Sequence, residues 1–148
     1  MLIRPATPDD IPALLEIERA AVTAAHWDRA AYDRIFSHDP PPRAALVAEN
    51  PRLAGFIVAR MLGDEWEIEN VVVAESSRRQ GIGAALLRAI LGLAQNAAAA
   101  QVLLEVRESN LAARRLYEEA GFQVSGTRKN YYVNPKEDAS VYYFCFRQ

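Results

Sequence analysis

Val71-Val72-Val73-Ala74-Glu75-Ser76-Ser77-Arg78-Arg79-Gln80-Gly81-Ile82-Gly83-Ala84 runs from an apolar strand, through a polar link, into a helix that starts on two glycines. Glycines at 81 and 83 let backbone amides approach a ligand with no Cβ in the way. The free amides of a helix start, helped by the helix dipole, favour an anion, and a phosphate or diphosphate is the natural guest. Arg78 and Arg79 add positive charge at the mouth. No Gly-Lys-Ser/Thr follows, so the loop is not a P-loop. Leu86 occupies the third glycine position of a dinucleotide fingerprint, so it is not that either. Read alone, the loop fits a plain helix start as well as an anion site.

Outward from this loop, hydrophobic periodicity divides the chain into alternating elements. Leu2-Ile3-Arg4 reads as a short strand ended by Pro5. Thr7-Pro8-Asp9-Asp10 opens a helix, with Thr7 as cap and Pro8 at the first helical position, expected to reach about Ala24. A second short helix is expected from Trp27-Asp28 to Phe36, and His38-Asp39-Pro40-Pro41-Pro42 must be loop. Ala44–Glu49, Leu53–Met61 and Trp66–Val73 form an antiparallel meander. Gln80 to Gln95 is a helix with Ile82, Leu86, Leu87, Ile90 and Leu93 on one face. Gln101–Val106 is a strand; Ser109-Asn110 caps a helix that runs to Ala120 and stops at Gly121. Phe122–Thr127 and Ser140–Phe146 are the last strands, leaving Lys129–Ala139 as a loop. This order describes an α/β fold with a mixed, mostly antiparallel sheet flanked by helices, over residues 1–148 as one domain.

Composition narrows the function classes. The chain has 148 residues, 51% of them hydrophobic and 24% charged, which suits one well-packed domain. Lys plus Arg total 17 against 19 Asp plus Glu, and a net charge of −2 argues against a nucleic-acid binder. The single cysteine, Cys145, excludes an internal disulfide and a multi-cysteine zinc site, and is expected to be a buried small hydrophobe. Two histidines, His26 and His38, make a histidine-rich metal centre improbable, so no metal is expected. The N-terminus lacks signal-peptide character. The longest apolar stretch, Ile82–Ala100, is broken by Arg88, Gln95 and Asn96 and is no membrane span. A cytoplasmic location is expected.

Arg78-Arg79-Gln80-Gly81-Ile82-Gly83 after a strand resembles the acetyl-CoA motif of the GNAT superfamily of N-acetyltransferases, and the element order is similar along essentially the whole chain. Three further blocks resemble, in order and spacing, the ribosomal-protein-alanine N-acetyltransferases within it. They are Leu103-Leu104-Glu105-Val106-Arg107-Glu108-Ser109-Asn110, Ala113 to Phe122, and Arg128-Lys129-Asn130-Tyr131-Tyr132 with Glu137-Asp138-Ala139 downstream. The resemblance implies splayed central parallel strands, with the pantetheine arm of acetyl-CoA lying along Val71, Val72 and Val73. It implies that the amide of Val73 polarises the acetyl carbonyl and that Arg79, Gln80, Gly81, Ile82, Gly83 and Ala84 hold the diphosphate. Glu105 matches the family's general base and Tyr117 its general acid, and Asn110 both caps its helix and contacts the pantetheine.

The implied activity is direct transfer of acetyl to a protein N-terminal α-amine, that of a ribosomal protein with N-terminal alanine. A small-amine acetyltransferase and a non-catalytic acyl-CoA-binding module remain as alternatives. Independently of the resemblance, strand alternation puts Glu105 opposite Val102, Leu104 and Val106. Asn110 and Tyr117, two helical turns apart, share a face. Tyr131 and Tyr132 fit either a peptide groove or hairpin packing, and Trp27 fits either a substrate-holding loop or the core. His26 and His38 have no evident role.

Overall fold

The computed structural model describes residues 1–21 and 27–146. Seven strands form one sheet: β1 (Leu2–Pro5), β2 (Arg43–Glu49), β3 (Leu53–Leu62), β4 (Glu65–Val73), β5 (Gln101–Arg107), β6 (Gln123–Val133) and β7 (Lys136–Cys145), in the order β1-β2-β3-β4-β5-β7-β6. Every neighbouring pair is antiparallel except β4–β5. The helices are α1 (Ile11–Ala20), α2 (Arg29–Ile35), α3 (Ile82–Asn96) and α4 (Leu111–Glu119). On one face, Ile82, Leu86, Leu87, Ile90 and Ala94 of α3 and Tyr117 of α4 pack with Ala48, Ile57, Ala59, Leu104 and Tyr142. On the other, Ile11 and Leu14 of α1 and Tyr32 and Ile35 of α2 pack with Val47, Phe56, Val58 and Val72.

The central feature lies in β4. Opposite β3, Val58 pairs with Asn70 but Ala59 pairs with Ile68, so Glu69 is an extra residue, a β-bulge. A strand alternates sides with period two, so one extra residue reverses its parity. Trp66 and Ile68 accordingly belong to the α3 core, whereas Val72 belongs to the α1–α2 core. On its other edge, β4 pairs with β5 only from Glu65↔Gln101 to Glu67↔Leu103. Beyond Glu67 the two parallel strands splay, as expected, and the β4 edge through Val73 has no strand partner there.

Several boundaries differ from the sequence expectations. Helix α1 ends at Ala20, because Ala21 is extended, and the expected continuation through 22–24 lies outside the described residues, as does His26. Helix α3 begins at Ile82 and not at Gln80, since Gly81 caps it in the left-handed region at φ 76°. Leu93 sits at the edge of the α3 stripe, 41% exposed, and Ala94 takes the buried position in that turn. The stretch expected as a loop, Lys129–Ala139, is mostly strand: β6 and β7 form a long hairpin turning at Asn134-Pro135. Its register shifts between Arg128 and Tyr132, around Asn130 at φ 54°, which breaks the alternation that would reveal a strand. Cys145 is exposed and not buried, because it ends β7 on the face opposite Tyr142. Gly121 stops α4 as expected, at φ 104°.

Close approach of β3 to β4 depends on Gly55, where a Cβ would sit 2.9 Å from the Val72 carbonyl oxygen and 3.2 Å from Ile82 Cγ2. Gly55→Ala is therefore expected to destabilise the fold by about 1–3 kcal/mol. Gly92→Ala, on α3 where a Cβ meets nothing, is expected to be neutral or to stabilise by about 0.5–1 kcal/mol. Urea denaturation of both variants tests the contrast.

Candidate active site

The free edge of β4 leads straight into the glycine loop. Ala74 donates its N–H to the Ala54 carbonyl at 2.7 Å, holding the strand end, and a 3-10 turn over Glu75–Ser77 follows. Arg79 and Gly81 both take positive φ, 64° and 76°. These turns aim the chain along the α3 axis. The first helical bond of α3 is Ala85 N–H to the Gly81 carbonyl at 3.0 Å, so the amides of Ile82, Gly83 and Ala84 have no partner within the helix. No side chain caps Gly81, and a Cβ there would meet open space. At Gly83 a Cβ would lie 3.3 Å from Leu116 Cδ2, so glycine there lets α3 approach α4. Clustered amide donors, the positive helix end and the open surface suit an anionic group such as a phosphate or diphosphate. Asn50, which sequence reading missed, anchors the loop by donating its side-chain amide to Gln80 Oε1 at 3.3 Å.

Glu105 lies on β5, and Asn110 and Tyr117 belong to α4 and its cap. Val102, Leu104 and Val106 are buried and Glu105 points the other way, as alternation requires. Arg128 Nε stands 3.0 Å from Glu105 Oε1. Tyr131, 48% exposed, lies against the same carboxylate: interaction with Glu105, then burial, raises the Tyr131 phenol above its ordinary value. Arg128 also lies over the Tyr131 ring, 5.6 Å from its centroid. Tyr131 and Tyr132 meet edge to face at 5.1 Å, and the Arg107 guanidinium covers Tyr132 at 4.2 Å. These two tyrosines thus serve hairpin packing and the surroundings of Glu105 together.

Asn110 is the N-cap of α4, its side chain accepting from Ala113 N–H at 3.2 Å. Tyr117, on the same helix face, is buried, with ring centroids 5.9 Å from Phe122 and 6.2 Å from Tyr142. Burial, with a smaller contribution from Tyr132, pushes its phenol up to about 12. Burial and then the Glu105 charge push Tyr132 up to about 12 as well. Tyr132 therefore stands within electrostatic reach of both Glu105 and Tyr117.

On the Glu105 side of the sheet, β2, β3 and β4 add a ladder of ion pairs. Arg43 Nε meets Glu69 Oε1 at 2.8 Å and Arg60 Nη2 meets Glu67 Oε2 at 2.9 Å. Sequence reading missed this ladder, because the bulge that turns Glu69 toward Arg43 has no local signature. Trp27 packs against the α1–α2 core, 5.5 Å from the Tyr32 ring, and His38 is exposed. Among the described residues no cluster of His, Cys, Asp and Glu fits a metal ion, and no helix is long and apolar enough to cross a membrane.

Residues 11–122 match the model of the acetyltransferase (GNAT) family. The chain is 33% identical over 136 residues to the [ribosomal protein bS18]-alanine N-acetyltransferase of Escherichia coli K12, covering 89% of this chain and 88% of that protein. It is 31% identical over 135 residues to the enzyme of that name from Salmonella typhimurium, again 89% and 88% of the two chains. The crystal structure of the ribosomal-protein-S18-alanine N-acetyltransferase from Escherichia coli superposes with a TM-score of 0.86 at 28% identity, covering 99% of this chain and 94% of that one.

The buried state of Tyr117 has a direct spectroscopic consequence. At pH 11 an exposed tyrosine, with its ordinary pKa of about 10, is roughly nine-tenths ionised. Tyr117, pushed up to about 12, is expected to stay protonated. Ring chemical shifts of labelled tyrosine, assigned with Tyr117→Phe and recorded while far-UV dichroism stays native, test this; a midpoint near 10 for Tyr117 contradicts its burial.

Proposed function

Because this chain belongs to the acetyltransferase (GNAT) family and is an acetyl-CoA-dependent N-acetyltransferase, we propose that its acceptor is a protein N-terminal α-amine, that of the alanine of ribosomal protein bS18. The observation that carries this reading is the 33% identity to a bS18-alanine N-acetyltransferase over 89% of the chain. In this reading residues 1–148 act as one catalytic domain in the cytoplasm, beside the ribosomal protein they modify.

Acetyl-CoA supplies the acyl carbonyl to be attacked and the thiol that leaves. The residues that would hold it are Val71, Val72 and Val73 along the free β4 edge, Arg79, Gln80, Gly81, Ile82, Gly83 and Ala84 at the diphosphate, and Asn110 at the α4 cap. The Val73 amide is the donor for the carbonyl oxygen, because an edge amide with no strand partner is already oriented and needs no reorganisation.

The acceptor must be neutral to attack. An α-amine has a pKa of about 7.7–8.0, against about 10.4 for lysine, so a carboxylate base suffices for an N-terminus and is poorly matched to a lysine side chain. Glu105 takes that proton on Oε, directly or through one water, once Arg128 swings aside. Arg128 is 60% exposed at its side chain, so its bond to Glu105 is screened and exchangeable. Tyr117 gives the proton to the leaving sulfur, and its raised pKa keeps the hydroxyl protonated through the working range.

Incubation with acetyl-CoA and a bS18 N-terminal peptide is expected to add one acetyl group at the α-amine, read by intact mass and fragmentation. Acetylation confined to lysine, or thiol release only with small amines, overturns the acceptor assignment. In the same assay Tyr117→Phe is expected to lower kcat about 10²-fold with acetyl-CoA affinity preserved. Glu105→Gln is expected to lose about 10²-fold near pH 7 and to regain rate as pH rises through the amine pKa of about 8, because only amine already deprotonated then reacts. Full activity in both variants removes the acid–base assignment.

A further inference from the structure

A buried polar cluster joins α1 to β4. Glu18, in the last turns of α1, is 2% exposed, and Asn70, the residue after the β4 bulge, is 5% exposed. Asn70 Nδ2 donates to Glu18 Oε1 at 2.8 Å. The Tyr32 hydroxyl from α2 is buried beside them without a hydrogen-bond partner. Burial, and after it the Glu18 carboxylate, raise the Tyr32 phenol. No cation is paired with Glu18 among the described residues. Burying a carboxyl and an amide side chain costs free energy that an apolar pair of similar volume avoids. Packing alone therefore does not account for this cluster.

Its position does. The bulge turns Asn70 toward α1, and the next three residues, Val71–Val73, are the free edge facing the splay. Glu18 also closes α1 through its backbone, its carbonyl accepting from Ala21 N–H at 3.0 Å. One residue thus ends the first helix and grips the cofactor strand at its irregularity. Apolar contacts permit sliding and rotation, whereas an amide–carboxylate bond is directional and fixes how far the strand is rotated.

We infer that Glu18 and Asn70 are a positioning pair: their buried hydrogen bond sets the rotation of β4 after the bulge, and with it the alignment of the Val73 amide relative to Glu105 and Tyr117. Neither residue touches the reacting atoms. The diphosphate loop lies beyond Val73 and is held separately, by Ala74 and Asn50. The pair accordingly acts on turnover and not on acetyl-CoA affinity.

The test exchanges donor and acceptor. Asn70→Asp faces two carboxylates against each other and is expected to lower kcat about 10-fold at saturating substrates, with the acetyl-CoA Kd within about 3-fold of wild type. Adding Glu18→Gln restores a donor–acceptor pair in the reverse direction and is expected to recover most of kcat. Should Asn70→Asp fail to fold, Glu18→Met with Asn70→Leu removes both polar groups; its melting temperature is expected to hold or rise while kcat falls about 10-fold. The acceptor is whichever amine the wild-type protein acetylates, so the outcome is independent of the bS18 assignment. A folded Asn70→Asp or Met/Leu variant with wild-type kcat overturns the inference. So does a double exchange no better than Asn70→Asp, or a Kd that weakens in step with kcat.

Discussion

The extra residue in β4 is the constraint on which the site depends. A regular strand at this position would present Trp66, Ile68, Asn70 and Val72 to one face and continue its parallel ladder with β5. The bulge at Glu69 instead moves Asn70 and Val72 to the α1–α2 side, and the ladder with β5 stops at Glu67↔Leu103. Two separate cores, one under each pair of helices, are satisfied by a single strand that changes sides. An unpaired strand edge in the middle of a sheet is otherwise a defect, since buried amides and carbonyls need partners. Here the opening leaves the β4 edge from Ile68 to Val73 free, with β5 diverging beside it.

Electrostatics follows from that opening. Arg43, Arg60 and Arg128 face Glu69, Glu67 and Glu105, so the formal charges balance across this face of the sheet. Balanced charge suits an amine that must lose a proton, because a strongly negative cavity would hold it as ammonium. On the far side of β5, the buried tyrosine has the opposite character. Desolvation disfavours the phenolate, which keeps the Tyr117 hydroxyl protonated.

Most of the architecture was legible in the residues, and the failures share a cause. Alternation read β5 correctly, including the outward side of Glu105, because that strand is regular from Gln101 to Arg107. Four of the five stripe positions on α3, Ile82, Leu86, Leu87 and Ile90, and the caps at Asn110 and Gly121 were local signals and were found in place, whereas Leu93 was not. Periodicity could not place Glu69, because a single inserted residue looks like an ordinary strand position until its partner strand is known. It could not extend the last hairpin through Asn130 for the same reason. The Glu18–Asn70 bond spans 52 positions in sequence, and an acidic residue on an amphipathic helix reads as solvated until tertiary packing covers it.

The irregularity of that hairpin also reconciles two demands on β6. Nearly all of its residues are exposed, and as the terminal strand of the sheet it offers a long free edge that could recruit another chain. A regular β6 would be flat and adhesive. Register shifts after Val124 and Arg128 twist it, and Arg128 and Lys129 put charge on it, both of which discourage edge-to-edge pairing. The second shift lies between Arg128 and Tyr132, and Arg128 at its start and Tyr131 within it both face Glu105. The same distortion that blunts the edge therefore builds one wall around Glu105, so straightening β6 would disturb both the edge and the surroundings of that carboxylate.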